Sequence, residues 1–86
     1  MKQIQLLEGE GWLQVGSAEP GRVRYSIGVW SRPDGVVFGR GYILGAVETM
    51  FRASTARGTI HLVLADGRAV DVVVTERAAG KVWAEI

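Results

Sequence analysis

The chain contains no cysteine, only two prolines and a single histidine. Without cysteine there is no disulfide to staple the fold and no thiolate to hold a metal, so stability has to come from a packed core. No stretch approaches the ~20 consecutive apolar residues of a membrane-spanning helix. The opening "MKQIQLLEGEGW" carries one lysine and a very short apolar run before Glu8, which is not the pattern of a secretory signal. A cytoplasmic location is therefore the default expectation, with no membrane partner. An excess of one charge is lacking too: 10 basic residues stand against 9 acidic ones, for a net charge of +1. That balance argues against bulk electrostatic attraction to nucleic acid or an anionic membrane, and leaves room only for a local patch. Internal linkers, low-complexity tracts and fixed-period repeats are also absent.

What is present fits one small domain over residues 1–86. A chain of this size buries only about 60–65% of the surface its unfolded form exposes, so its core must be efficient. The hydrophobic fraction, 48%, is too high for a disordered chain. Eight of the ten cations are arginine, a side chain suited to bidentate pairing and stacking. The dominant pattern is alternation. Val23, Tyr25, Ile27 and Val29 are apolar at every second position, as are Ile60, Leu62 and Leu64, then Val70, Val72 and Val74, then Val82, Ala84 and Ile86. A period of two marks half-buried strands. Strands are expected near 2–8, 11–16, 22–31, 36–44, 58–64, 68–76 and 81–86. "GAVETMFRAS" is the one segment with helical spacing, through Val47, Met50 and Phe51, with Glu48 and Arg52 as an i,i+4 pair. The fold class is all-β: a small barrel or tight sandwich of about six antiparallel strands, with at most one short helix near 45–53. The order of strands around that helix is like that of an OB-fold. An SH3-like barrel is the other candidate, and the glycines at 9 and 11 suit a long coiled first strand.

Turn chemistry sets the register. In "YSIGVWSRPDGVVFGRGYI" a two-residue loop at Pro33-Asp34 needs a positive φ that proline cannot adopt. A four-residue loop places Arg32 in the α region directly before proline, which is disfavoured. A type I turn over Pro33-Asp34 followed by a left-handed Gly35 suits every residue. Counting from it, Trp30 faces Phe38, Gly28 faces Arg40 and Ser26 faces Tyr42. In "LVLADGRAVDVVV" the same three-residue loop, Ala65-Asp66-Gly67, keeps Leu62, Val70, Ile60 and Val72 on one face and sets His61 opposite Asp71. Ala78-Ala79-Gly80 is expected to repeat the device, with Val74 opposite Ala84.

This register gathers Arg22, Arg24, Trp30, Phe38, Arg40 and Tyr42 on one outward face. Interleaved aromatics and arginines are what single-stranded nucleic acid stacks on and pairs with, at roughly 1–3 kcal/mol per stacked base. They are also what protein interfaces favour, and with a net charge of +1 a protein contact ranks first. Coverage by the segment around Phe51 ranks second and single-stranded nucleic acid third. His61, Val63, Val73 and Trp83 form a second outward patch, which the first strand could cover. His61 is the only base available to a serine nucleophile, and no serine has a nucleophile-elbow pattern. "GRGYILGA" places Leu44 where a dinucleotide fingerprint needs glycine. Glu8 and Glu10 read as solvated. No cofactor or metal is implied. The expectation is a non-catalytic interaction module that self-associates, most simply as a homodimer, or binds a protein through the Arg/aromatic face; the alternative is an OB-like binder of single-stranded nucleic acid.

Overall fold

The computed structural model describes residues 1–78 and 80–86. Six strands and one helix follow one another as β1 (Lys2–Gln14), β2 (Gly21–Ser31), β3 (Val37–Gly45), α1 (Val47–Thr55), β4 (Ile60–Val63), β5 (Ala69–Ala78) and β6 (Lys81–Glu85). The sheet closes on itself in the order β1-β2-β3-β6-β5-β4, with every neighbouring pair antiparallel. The fold is thus an all-β barrel and not a sandwich, and its ring has one strand more than the five of an OB barrel. The two expected strands at 2–8 and 11–16 are one continuous β1. It pairs with β2 along its length and with β4 at Trp12–Gln14, and so closes the ring.

Both predicted hairpin turns form as counted. Gly35 is left-handed (φ 88°), Arg32 and Val36 close the loop, and the Asp34 carboxylate accepts the Val36 amide at 3.1 Å. Gly67 (φ 90°) repeats this, with Leu64 and Arg68 closing and Asp66 accepting the Arg68 amide at 3.0 Å. An Asp-Gly pair at the second and third loop positions therefore supplies both a side-chain acceptor for the reversing backbone and the residue that tolerates positive φ. The hydrogen bond from the Arg68 amide, followed by the bond from its guanidinium, holds the Asp66 carboxyl below its ordinary pKa. The third turn departs from expectation. Ala78 stands in the ladder opposite Lys81 and not in the loop, Gly80 is left-handed (φ 75°), and Ala79 lies outside the described residues. A bulge between Val74 and Glu76 absorbs the extra step, so Val74 still meets Ala84.

The inward face carries the core. Leu13, Ile27, Ile43, Met50, Leu62, Val72 and Val82 are its largest fully buried side chains. Tyr25 lies among them, and its hydroxyl accepts the Ala65 amide at 2.8 Å, which satisfies the one polar atom it brings inside. The narrow ring depends on two positions without side chains. A Cβ at Gly41 would lie 2.0 Å from the Ser26 carbonyl oxygen, and one at Gly11 would lie 1.9 Å from that of Val63. Helix α1 closes one end of the barrel with Thr49, Met50 and Ala53. Its spacing does not bury Val47 and Phe51 as the sequence pattern suggested; they are 65% and 67% exposed. The cause is the close seat of Thr49, whose side chain fills the space over Gly21 and turns the Val47–Phe51 side outward.

Gly41→Ala and Gly11→Ala are each expected to destabilise the fold by about 1–3 kcal/mol or more, because backbone, not a flexible side chain, occupies the space the methyl needs. Urea titration followed by tryptophan fluorescence checks this; an unchanged midpoint for both would show that the strands do not approach this closely.

Candidate interaction surface

The outward face runs unbroken from β1 to β6. Its rows are set by pairing: Glu10 meets Arg24, which meets Leu44; Gly28 meets Arg40, which meets Glu85; Ser26 meets Tyr42, which meets Trp83. Arg22, Arg24, Trp30, Phe38, Arg40 and Tyr42 share this side, as the turn-derived register required. The three arginines are exposed and the three aromatics are half-buried. Helix α1 does not cover them; it lies against β3, β5 and β6 at the end of the barrel.

Each arginine on this face holds a glutamate from the neighbouring strand. Arg22 and Arg24 both donate to Glu10, at 2.8 Å and 3.1 Å, so one carboxylate bridges two guanidiniums. Arg40 donates to Glu85 through Nε and Nη2, at 3.2 Å and 3.0 Å. The hydrogen bond from Arg22, then that from Arg24, then the two positive charges hold the Glu10 carboxyl below its ordinary pKa. At the centre, the Tyr42 and Trp83 rings meet edge to face, with centroids 5.5 Å apart and planes at 75°. Lys81 places Nζ 4.6 Å from the Tyr42 ring centroid and 5.2 Å from that of Trp83. Trp30 stands opposite Phe38 and folds back over its own strand: a Cβ at Gly28 would lie 3.0 Å from the indole Nε1. This indole therefore also packs the hairpin on which it stands.

The residues of the second expected patch lie on three adjacent strands, His61 and Val63 on β4, Val73 on β5 and Trp83 on β6. Trp83 joins Tyr42. Val63 faces Trp12 across the β1–β4 seam, with Pro20 beside them. Val73, 46% exposed, stands opposite Glu85. His61 pairs with Asp71 as counted, Nδ1 to Oδ1 at 2.6 Å, both exposed. β1 lies beside β4 in the ring and does not fold across these side chains. Among the described residues no three of His, Cys, Asp and Glu come together in a group that could hold a metal.

Glu10, Glu85, Lys81 and Trp12 complete this surface, and sequence reasoning did not place them on it. Their pairings cross the β1–β2, β3–β6 and β1–β4 seams, which no short turn fixes. The sequence signal for Glu10 was weak: two glutamates beside glycines, equally consistent with solvation. Compared with known proteins, the chain matches no family model, no curated protein and no solved structure.

Because its carboxyl is held low, Glu10 contributes stability that is present above the unfolded carboxylate pKa and is lost as pH falls through the lower folded value. Carboxyl NMR titration is expected to find Glu10 below the ordinary glutamate range, and to find it moved back upward in Arg22→Gln. A normal value in the unaltered chain would show that the bridge does not persist in water.

Proposed function

We propose that this chain is a non-catalytic interaction module that self-associates or takes a protein partner, with the Arg/aromatic face as contact surface. The observation that carries this reading is the pairing of Arg22, Arg24 and Arg40 with Glu10 and Glu85. Nucleic acid binds such faces through arginines free to take phosphates. Here a phosphate would have to displace a carboxylate already in place, and the displaced carboxylate would then repel it. A protein surface makes no such demand. Paired guanidiniums keep their flat faces and remaining donors available to carbonyls, and Tyr42, Trp83 and Lys81 offer a large, rigid, amphipathic centre. Interface energy concentrates at centres of this composition, inside polar rims of this kind.

Sedimentation at low micromolar concentration tests the self-association arm, and labelled oligonucleotides titrated at two salt concentrations test the competing one. The expected outcome is a mass above that of one chain, or a monomer without salt-sensitive oligonucleotide binding. Salt-sensitive binding that Trp83→Ala and Arg40→Ala both weaken would transfer the face to nucleic acid and overturn the reading.

A further inference from the structure

One end of the barrel holds an arginine that the fold gives no carboxylate. Six of the eight arginines lie within ion-pair distance of an Asp or Glu; among the described residues, Arg57 and Arg77 do not. Arg77 stands opposite the buried Val82 in the β5–β6 ladder, so alternation sets its side chain on the inner side of β5, under the end of α1. There its Nη1 donates to the Ser54 carbonyl at 3.0 Å, one of the last carbonyls of α1, which the helix itself leaves unpaired. Most donors of the guanidinium fork stay open. Among the described residues this guanidinium is the one charged group lining an open groove of about 520 Å³ between α1 and the β5–β6 hairpin. Val47, Met50, Phe51, Ala78 and Gly80 give the groove apolar walls, and Val47 and Phe51 are exposed in it. Its volume is that of a small-molecule site, for which roughly 300–1,000 Å³ is usual.

We propose that this groove binds a free acyl carboxylate, with the chain against Val47, Phe51 and Ala78 and the carboxylate on Arg77. The site shares no residue with the Arg/aromatic face, so either reading can fail alone. Charge selects the head group. An anion meets an unmatched guanidinium here and has no carboxylate to displace, unlike at Arg22, Arg24 and Arg40. Guanidinium and carboxylate also match as a bidentate pair. The remaining polar groups select the tail. Ser54 and Thr55, the other polar side chains of the groove, turn back onto α1, where both hydroxyls donate to the Phe51 carbonyl, at 2.9 Å and 3.0 Å. The Gly80 carbonyl accepts the Gly45 amide at 3.3 Å. A ligand therefore finds one polar anchor beside apolar walls. A peptide would bring an amide at every residue, and each one left unpaired against such walls costs binding. An acyl chain brings a single polar group, and its methylenes gain by covering the exposed Val47 and Phe51.

Sodium decanoate titrated into the isotope-labelled whole chain at neutral pH, followed by amide NMR shifts, tests this. Saturable shifts are expected at Val47, Phe51, Arg77 and Gly80, and not at Trp30 or Tyr42. On the unaltered chain, decanol is expected to bind about tenfold more weakly than decanoate, and decyltrimethylammonium to give no saturable shift in the groove. Arg77→Gln is expected to weaken decanoate about tenfold and Arg77→Lys about threefold. Phe51→Ser is expected to weaken it about tenfold through the lost wall. Both side chains are exposed, so thermal transitions of these variants are expected to stay near that of the parent. Decanol bound as tightly as decanoate would leave Arg77 as a helix cap and overturn the proposal. So would shifts centred on the Arg/aromatic face, or none that saturate through the low millimolar range. A short peptide ending in a Leu-Leu carboxylate that binds more tightly than decanoate would also overturn it, and would give the groove to a chain terminus.

Discussion

The structure depends on the way two hairpins reverse. At Gly35 and Gly67 the chain passes through a left-handed backbone conformation directly after an aspartate whose carboxylate caps the turn. That conformation fixes which residues close each loop, and side chains alternate strictly beyond it. A slip of one residue in β2 would move Tyr25 and Ile27 out of the core and bring Arg24 and Trp30 into it, and one in β3 would turn out Ile43. The register is therefore held twice: by the torsions of a glycine and by burial of one aliphatic face. Everything on the outside of β2 and β3 inherits its neighbours from this one choice.

Closure of the ring then determines the electrostatic character of the face. The strands that flank β2 and β3 each bring a glutamate to the row where an arginine stands, Glu10 from β1 and Glu85 from β6. Exposed pairs of this kind add little to stability. Their effect lies in what they remove, namely a concentrated positive field that would attract any polyanion. What remains is amphipathic and nearly neutral. Its aromatic centre sits at the β3–β6 seam, where Tyr42, Trp83 and Lys81 meet. The whole chain is similarly balanced, at a net charge of +1.

The parts of this architecture that short-range chemistry controls were readable from residues alone. The β2–β3 and β4–β5 pairings followed from Pro33-Asp34-Gly35 and Ala65-Asp66-Gly67, and the core followed from alternation at Val23, Tyr25, Ile27 and Ile43. Non-local seams were not readable. Residues between β1 and β2 are too many to fix a register by turn type, so the bridge from Glu10 to Arg22 and Arg24 had no local signal. The last hairpin shows how a compensating irregularity hides from counting. Its loop is tighter than the glycine spacing suggested, and the bulge before Glu76 restores the expected pairing of Val74 with Ala84. Helix α1 forms near where its spacing placed it, and only the choice of buried side differs. Apolar spacing at Val47, Met50 and Phe51 predicted the buried stripe, but the fit of Thr49 over a glycine backbone decided which side faced the barrel.

The account stands most directly on the alignment of β2 with β3, and nuclear Overhauser contacts across that ribbon measure it. Trp30 is predicted to pair with Phe38, and Gly28 with Arg40, with contacts between the Tyr42 and Trp83 rings on the same side. Contacts offset by one residue, such as Trp30 with Val37 or Gly28 with Gly39, would put the tryptophan and Arg40 on opposite sides of the sheet and contradict the existence of the face.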